Sequence, residues 1–148
     1  MVGAQTDPSG YTVLEKGAKA PAFVGFAKDG SPFALQKVND ANTLLCFLDP
    51  GCEWCKSLLP ELNRIHDSLH SSLRIIGITA DIDTLRWQAF TADEQPRFRF
   101  IVVSKSVVES YKIQANPTLY LLDHKLRIAS GRIVRVEELL PALKNIEN

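Results

Sequence analysis

Two short stretches of the chain are dominated by apolar residues, TLLCFL at 43–48 and LRIIGIT at 73–79. Runs of this length are expected of strands covered on both faces. Between them Trp54, Leu58, Leu59, Leu62, Ile65 and Leu69 fall at the spacing of an amphipathic helix. Strand, helix, strand in that order predicts a parallel pair joined by a right-handed crossover. Upstream, the clusters Phe23 to Phe26 and Phe33 to Leu35 flank Asp29-Gly30, a dipeptide that accepts the positive φ of a tight turn, and predict a hairpin. Downstream, DTLRWQAF reads as a helix, FRFIVV as a strand and SVVESYKI as a short helix. TLYLLD and LRIASG are joined too closely to be anything but antiparallel neighbours. VEELLPALKNI reads as a last helix, which Pro141 should kink or divide. The predicted fold class is α/β, a mixed central sheet with helices on both faces. Residues 1 to about 18 are polar and without period, and read as a flexible N-terminal lead before a domain spanning 19–148.

Composition narrows the function. A chain of 148 residues fits one domain and buries roughly 68 to 70% of its unfolded surface, so it needs no disulfide staples. Its cysteines are therefore free to do chemistry. Seventeen basic residues balance seventeen acidic ones with no block of like charge, which argues against nucleic acid or an anionic membrane as a partner. No apolar run approaches the ~18 residues of a membrane span, and MVGAQTDPSG has neither the basic nor the apolar region of a signal peptide, so a soluble chain is expected. Three cysteines with one close pair do not make a secreted disulfide framework.

That pair lies in DPGCEWCK, residues 49–56. Cys52 falls where the strand 43–48 has ended and the helix begins, so unpaired N–H groups and the positive end of the helix dipole point at its sulfur, a placement that favours the nucleophilic thiolate. Cys55, one turn further in, is better placed to attack a mixed disulfide formed at Cys52 than to meet an outside substrate. Two other readings stand beside this one: a non-catalytic binding module, and a zinc site, because Cys52-x2-Cys55-x10-His66-x3-His70 approximates zinc-finger spacing. Geometry opposes zinc. In one continuous helix His66 lies about 16 Å along the axis from Cys55, whereas ligands of one zinc ion lie within ~2.3 Å of it. Cys46, inside an apolar strand, reads as a small hydrophobe, and Trp87, at helical spacing with Phe90, as core. Trp54 reads equally as a docking surface beside the reactive sulfur or as a cover over the helix start. Lys56 and Glu53 read as solvated.

From about Gly17 to the C-terminus the chain resembles the thioredoxin superfamily. The resemblance rests on C-x-x-C between strand and helix, on Lys56 directly after it, on Pro60 five residues beyond Cys55, and on KIQANPTLYLLD, which resembles the segment whose proline is cis and faces the cysteines. Asn116 and Pro117 are the corresponding residues here. The stretch GAKAPAFVGFAKDGSPFAL and the additional helix and strand at 82–103 are similar to the branch tethered outside bacterial inner membranes, and FLDPGCEWCKSLLPEL to its accessory proteins of methylamine dehydrogenase maturation. The resemblance implies a thiol-disulfide oxidoreductase acting on protein disulfides, most of its relatives being reductases, with catalytic Cys52 and Cys55 and a substrate surface at Trp54, Asn116 and Pro117. It implies no metal and no cofactor beyond a Cys52–Cys55 disulfide. The implied partners are a protein disulfide or dithiol and a thiol electron donor. A monomer without direct membrane contact is expected, extracytoplasmic and cut free of an anchor, with the cytoplasm as the alternative. Three positions depart from the pattern: Gly51 replaces an aromatic residue, Glu53-Trp54 stands between the cysteines, and Cys46 replaces a buried acid. DPGC is also similar to the reactive loop of peroxiredoxins, but those carry threonine or serine three residues before the cysteine, where this chain has Asp49, which argues against peroxidase activity.

Overall fold

The computed structural model describes residues 4–6, 10, 12–37 and 41–147. Its centre is a six-stranded mixed sheet. In chain order the sheet uses β3 (Val24–Ala27), β4 (Pro32–Ala34), β5 (Asn42–Phe47), β6 (Leu73–Thr79), β7 (Arg99–Val102) and β8 (Thr118–Leu122). In space the order is β4-β3-β7-β6-β5-β8, with β5, β6 and β7 parallel and the others antiparallel to their neighbours. Among the described residues the α-helices are α1 (Glu53–Leu69), α2 (Thr84–Phe90), α3 (Lys105–Ser110) and α4 (Leu139–Glu147).

Two apolar layers sandwich this sheet, which is why its central strands lack polar alternation. Along β5, Leu44 and Cys46 face the layer holding Leu58, Leu59 and Leu62 of α1 and Leu139 and Leu143 of α4. Leu45 and Phe47 face the other layer, with Phe23, Tyr111 and Tyr120, against which Val107 and Val108 of α3 pack. Gly77 on β6 has a structural reason: a Cβ there would lie 2.6 Å from the Phe100 ring of β7, so only glycine lets that ring cross the strand. The expected hairpin is β3–β4, closed by Gly30 at φ 86° and by Asp29, whose carboxylate accepts the Ser31 N–H at 2.9 Å.

Three expectations are corrected. The lead expected over residues 1 to about 18 contains an antiparallel pair, β1 (Ala4–Thr6) and β2 (Thr12–Leu14). Val13 and Leu14 are buried, and the Leu14 N–H donates to the Tyr120 hydroxyl at 3.2 Å, so the packed domain begins before residue 19. LRIASG is not a regular strand. It returns antiparallel to β8 through the bridges Leu122–Ile128 and Leu119–Ile133 and an Ala129 N–H to Leu121 carbonyl hydrogen bond, spending five residue steps against three between the bridges, so Ser130-Gly131 bulges and breaks the ladder. The final helix is divided before Pro141 rather than at it. Residues Val136–Glu138 form a single 3₁₀ turn, and Pro141 sits in the first turn of α4, where a missing N–H is tolerated.

Candidate redox site

β5 ends at Phe47, and the chain turns through Asp49-Pro50-Gly51 into α1. Asp49 builds this turn: its carboxylate accepts the Gly51 N–H at 2.7 Å and its carbonyl accepts the Cys52 N–H at 3.0 Å. Cys52 is thereby the N-cap of α1, and its sulfur accepts the Cys55 N–H at 3.1 Å. A helix N-cap uses a side-chain acceptor to satisfy a first-turn N–H, and here that acceptor is sulfur.

On its other side the Cys52 thiol donates to the Asn116 carbonyl at 3.5 Å. The Asn116–Pro117 peptide bond is cis. Asn116 is exposed and Pro117 buried, so it is the backbone before the proline that meets the sulfur. Cys55, wholly buried, packs in the same layer as Cys46. Burial pushes the Cys55 thiol well above its ordinary range, and the hydrogen bond with Cys52 adds to this, while a backbone hydrogen bond at Asp49 works the other way. Burial alone raises Cys46 similarly. All three cysteines are thiols. Trp54 is 51% exposed beside the pair, and Lys56 reaches Asp93 at 3.7 Å. Trp87 is half-buried, stacked edge-on against Phe90 and Phe100, with its indole N–H on the Asp81 carbonyl.

One residue at this site has no signal in the local sequence. Arg86 of α2 reaches over the turn to Asp49 at 3.5 Å and also pairs with Asp81. Its guanidinium occupies the space that a side chain at residue 51 would need, since a Cβ on Gly51 would stand 2.5 Å from it. Gly51 and Arg86 are therefore complementary, and the departure at residue 51 has a structural counterpart 35 positions away.

The zinc constellation is not assembled. α1 is unbroken through Pro60, which leaves His66 three turns from Cys55. Among the described residues no three His, Cys, Asp or Glu side chains converge on a metal-sized point.

The arrangement puts one partly exposed thiol at a helix start directly above one buried thiol, beside an open backbone carbonyl. The fold is shared with solved structures. The thioredoxin domain of a thiol-disulfide oxidoreductase from Bacteroides vulgatus superposes with a TM-score of 0.81 at 24% identity, covering 91% of this chain and 99% of that one. A thiol:disulfide interchange protein from a Bacteroides species gives 0.77 at 22% identity over 90% and 91%. A Chlorobium tepidum protein assigned as the thiol:disulfide interchange protein DsbE gives 0.80 at 20% identity over 90% and 99%. The fold is thus thioredoxin-like. No curated protein matches the chain by sequence. The sequence pattern of the AhpC/TSA family matches residues 16–130.

Proposed function

The chain belongs to the AhpC/TSA family, and we propose that within it this protein is a thiol-disulfide oxidoreductase acting on protein disulfides through Cys52 and Cys55. The observation that carries the reading is the stacking of the two thiols at the head of α1, one reachable and one buried beneath it. Cys52, as thiolate, attacks one sulfur of a substrate disulfide. The substrate S–S bond breaks, a Cys52–substrate S–S bond forms, and the second substrate sulfur leaves as thiolate. Cys55 then loses its proton and attacks the Cys52 sulfur. The substrate's first sulfur leaves reduced, and the Cys52–Cys55 disulfide carries the oxidation. A dithiol donor returns the pair to thiols, and no other cofactor takes part. Trp54 and the Asn116 backbone border the path of the incoming chain, which pairs as an extended segment with the backbone before Pro117.

The net direction is reduction and the setting extracytoplasmic, both on the strength of the resemblance to the tethered branch. Among the described residues no helix is long and apolar enough to cross a membrane. Peroxide reduction is disfavoured because Asp49 offers a carboxylate, already engaged by Gly51 and Arg86, where a hydroxyl would be needed.

Mass spectrometry of turnover mixtures tests the division of roles. Cys52→Ser should abolish reduction of a disulfide protein, and Cys55→Ser should accumulate one covalent adduct at Cys52. Capture through Cys55 in preference to Cys52 would overturn the assignment. A measured potential near about −270 mV supports a reductase, and one near about −120 mV an oxidant.

A further inference from the structure

Gly51 stands directly before Cys52, yet its backbone does not require glycine. The glycines with positive φ among the described residues are Gly10, Gly17 and Gly30, so a side chain at residue 51 meets no backbone strain. It meets a neighbour instead. A Cβ there would lie 2.5 Å from Arg86 Nη2, 3.8 Å from Arg86 Cζ and 3.3 Å from Asp49 Oδ1. What the glycine keeps open is the place of a guanidinium.

That guanidinium is held from two sides. Arg86 Nη2 faces Asp49 Oδ1 at 3.5 Å, and Nη1 pairs with Asp81. Asp81 is itself braced: its N–H donates to the Thr79 hydroxyl at 3.0 Å, its carboxylate accepts the Asp83 N–H at 2.8 Å, and its carbonyl accepts the Trp87 indole N–H at 2.8 Å. Asp83 in turn caps α2 by accepting the Leu85 and Arg86 N–H groups. Arg86 therefore reaches the cysteine turn from a fixed base. Among the described residues Asp49 and Asp81 have no ion-pair partner other than Arg86, so without it two unopposed carboxylates stand beside the head of α1.

We propose that Arg86 is a positioning residue that sets the balance between the dithiol and disulfide forms of the Cys52–Cys55 pair, by holding and offsetting the Asp49 carboxylate, and that Gly51 serves to admit it. The proposal rests on the reading of Cys52 and Cys55 as a redox pair. Reduction breaks the Cys52–Cys55 bond and adds two electrons, which a dithiol donor supplies as it becomes a disulfide. Cys55 takes up a proton, and Cys52 is left as the thiolate that attacks the next substrate. Negative charge thus appears on sulfur only in the reduced form. A nearby cation favours that form and an unopposed carboxylate disfavours it. Arg86 stabilises the reduced pair and raises its potential above the value the carboxylates alone would impose.

The test equilibrates the protein in dithiothreitol and glutathione redox buffers, quenches and unfolds it, and counts alkylated thiols by mass. With three cysteines in the chain, the reduced form takes three labels and the oxidised form one, Cys46 being labelled in both. Arg86→Gln should shift the equilibrium about tenfold toward the disulfide, a fall in potential of about 30 mV for a two-electron couple. Arg86→Lys, which keeps the charge, should recover most of that fall. Gly51→Ala displaces only the end of a flexible side chain, so the variant folds; it should lower the potential in the wild-type background and change nothing further in Arg86→Gln. An unchanged potential in Arg86→Gln, a fall in Arg86→Lys as large as in Arg86→Gln, or a Gly51→Ala effect that persists without Arg86 overturns this role while leaving the redox assignment intact. A wild type that keeps three labels in every buffer overturns the redox assignment itself, and the role of Arg86 with it.

Discussion

Cys55 carries the chemical difficulty of the pair. Its thiol is buried and pushed up, and the same apolar layer holds another protonated thiol, Cys46, which is a poor base. Resolution, rather than first attack, should then limit turnover. Since the fraction of Cys55 thiolate rises about tenfold per pH unit below its pKa, the decay of the mixed disulfide should quicken by that factor per unit from roughly pH 7 to 9. Quenched-flow mass spectrometry follows this directly, and a flat profile would contradict it. Cys46→Asp should speed the decay at neutral pH while lowering stability, because it buries an acid. The Asp49 carboxylate opposes ionisation of Cys55, and Arg86 offsets that charge, so Arg86→Gln should shift the profile to higher pH. The two cysteines and Asn116 are legible in the sequence because each sits in a local pattern. Arg86 is not, because nothing in DTLRWQAF separates it from a solvated helix residue; only the fold brings it to Asp49.

Among the elements, α1 is held by more than its apolar face. Asn63 is fully buried, donates to Glu94 Oε2 at 2.7 Å and to the Gln95 carbonyl at 2.8 Å, and accepts the Arg97 N–H at 2.7 Å. One amide thus ties the helix that carries the cysteines to the segment after α2. Asn63→Ala leaves the Arg97 N–H and Gln95 carbonyl unsatisfied and should cost about 1–3 kcal/mol in a urea titration, well beyond a surface substitution. Such a tie is invisible in the sequence, where Asn63 merely interrupts the apolar spacing. The central strands were easy to read for the opposite reason: burial on both faces leaves TLLCFL, LRIIGIT and TLYLL nearly without polar residues. LRIASG carries a similar composition but begins just after a tight turn with Leu126 at φ 61° and contains the Ser130-Gly131 bulge, so apolar content alone misreads it as a strand.

At the scale of the whole molecule, long-range contacts decide where the domain begins. The Tyr120 hydroxyl accepts from Leu14 and donates to the Tyr111 carbonyl at 3.1 Å, so the anchor of β2 lies 106 positions along the chain, where no local pattern can announce it. Burial of two thiols in one core also links stability to pH. Cys46 and Cys55 have folded pKa values raised above the ordinary value of about 9.0, so as pH rises the unfolded chain releases these protons first. Their contribution is fully present below that value and is lost above it, at up to about 1.4 kcal/mol per pH unit for each thiol. Urea midpoints should hold level from roughly pH 7 to 8 and decline toward 10, less steeply in Cys46→Ala; equal slopes would refute the linkage. The central position of Cys46, on β5 between β6 and β8, has a practical consequence as well. An alkylating reagent reaches Cys52 in the native protein but reaches Cys46 only when the sheet parts, so the ratio of the two labelling rates measures the free energy of global opening without denaturant. The chain carries its own unfolding clock, one sulfur keeping time for the surface and another for the core.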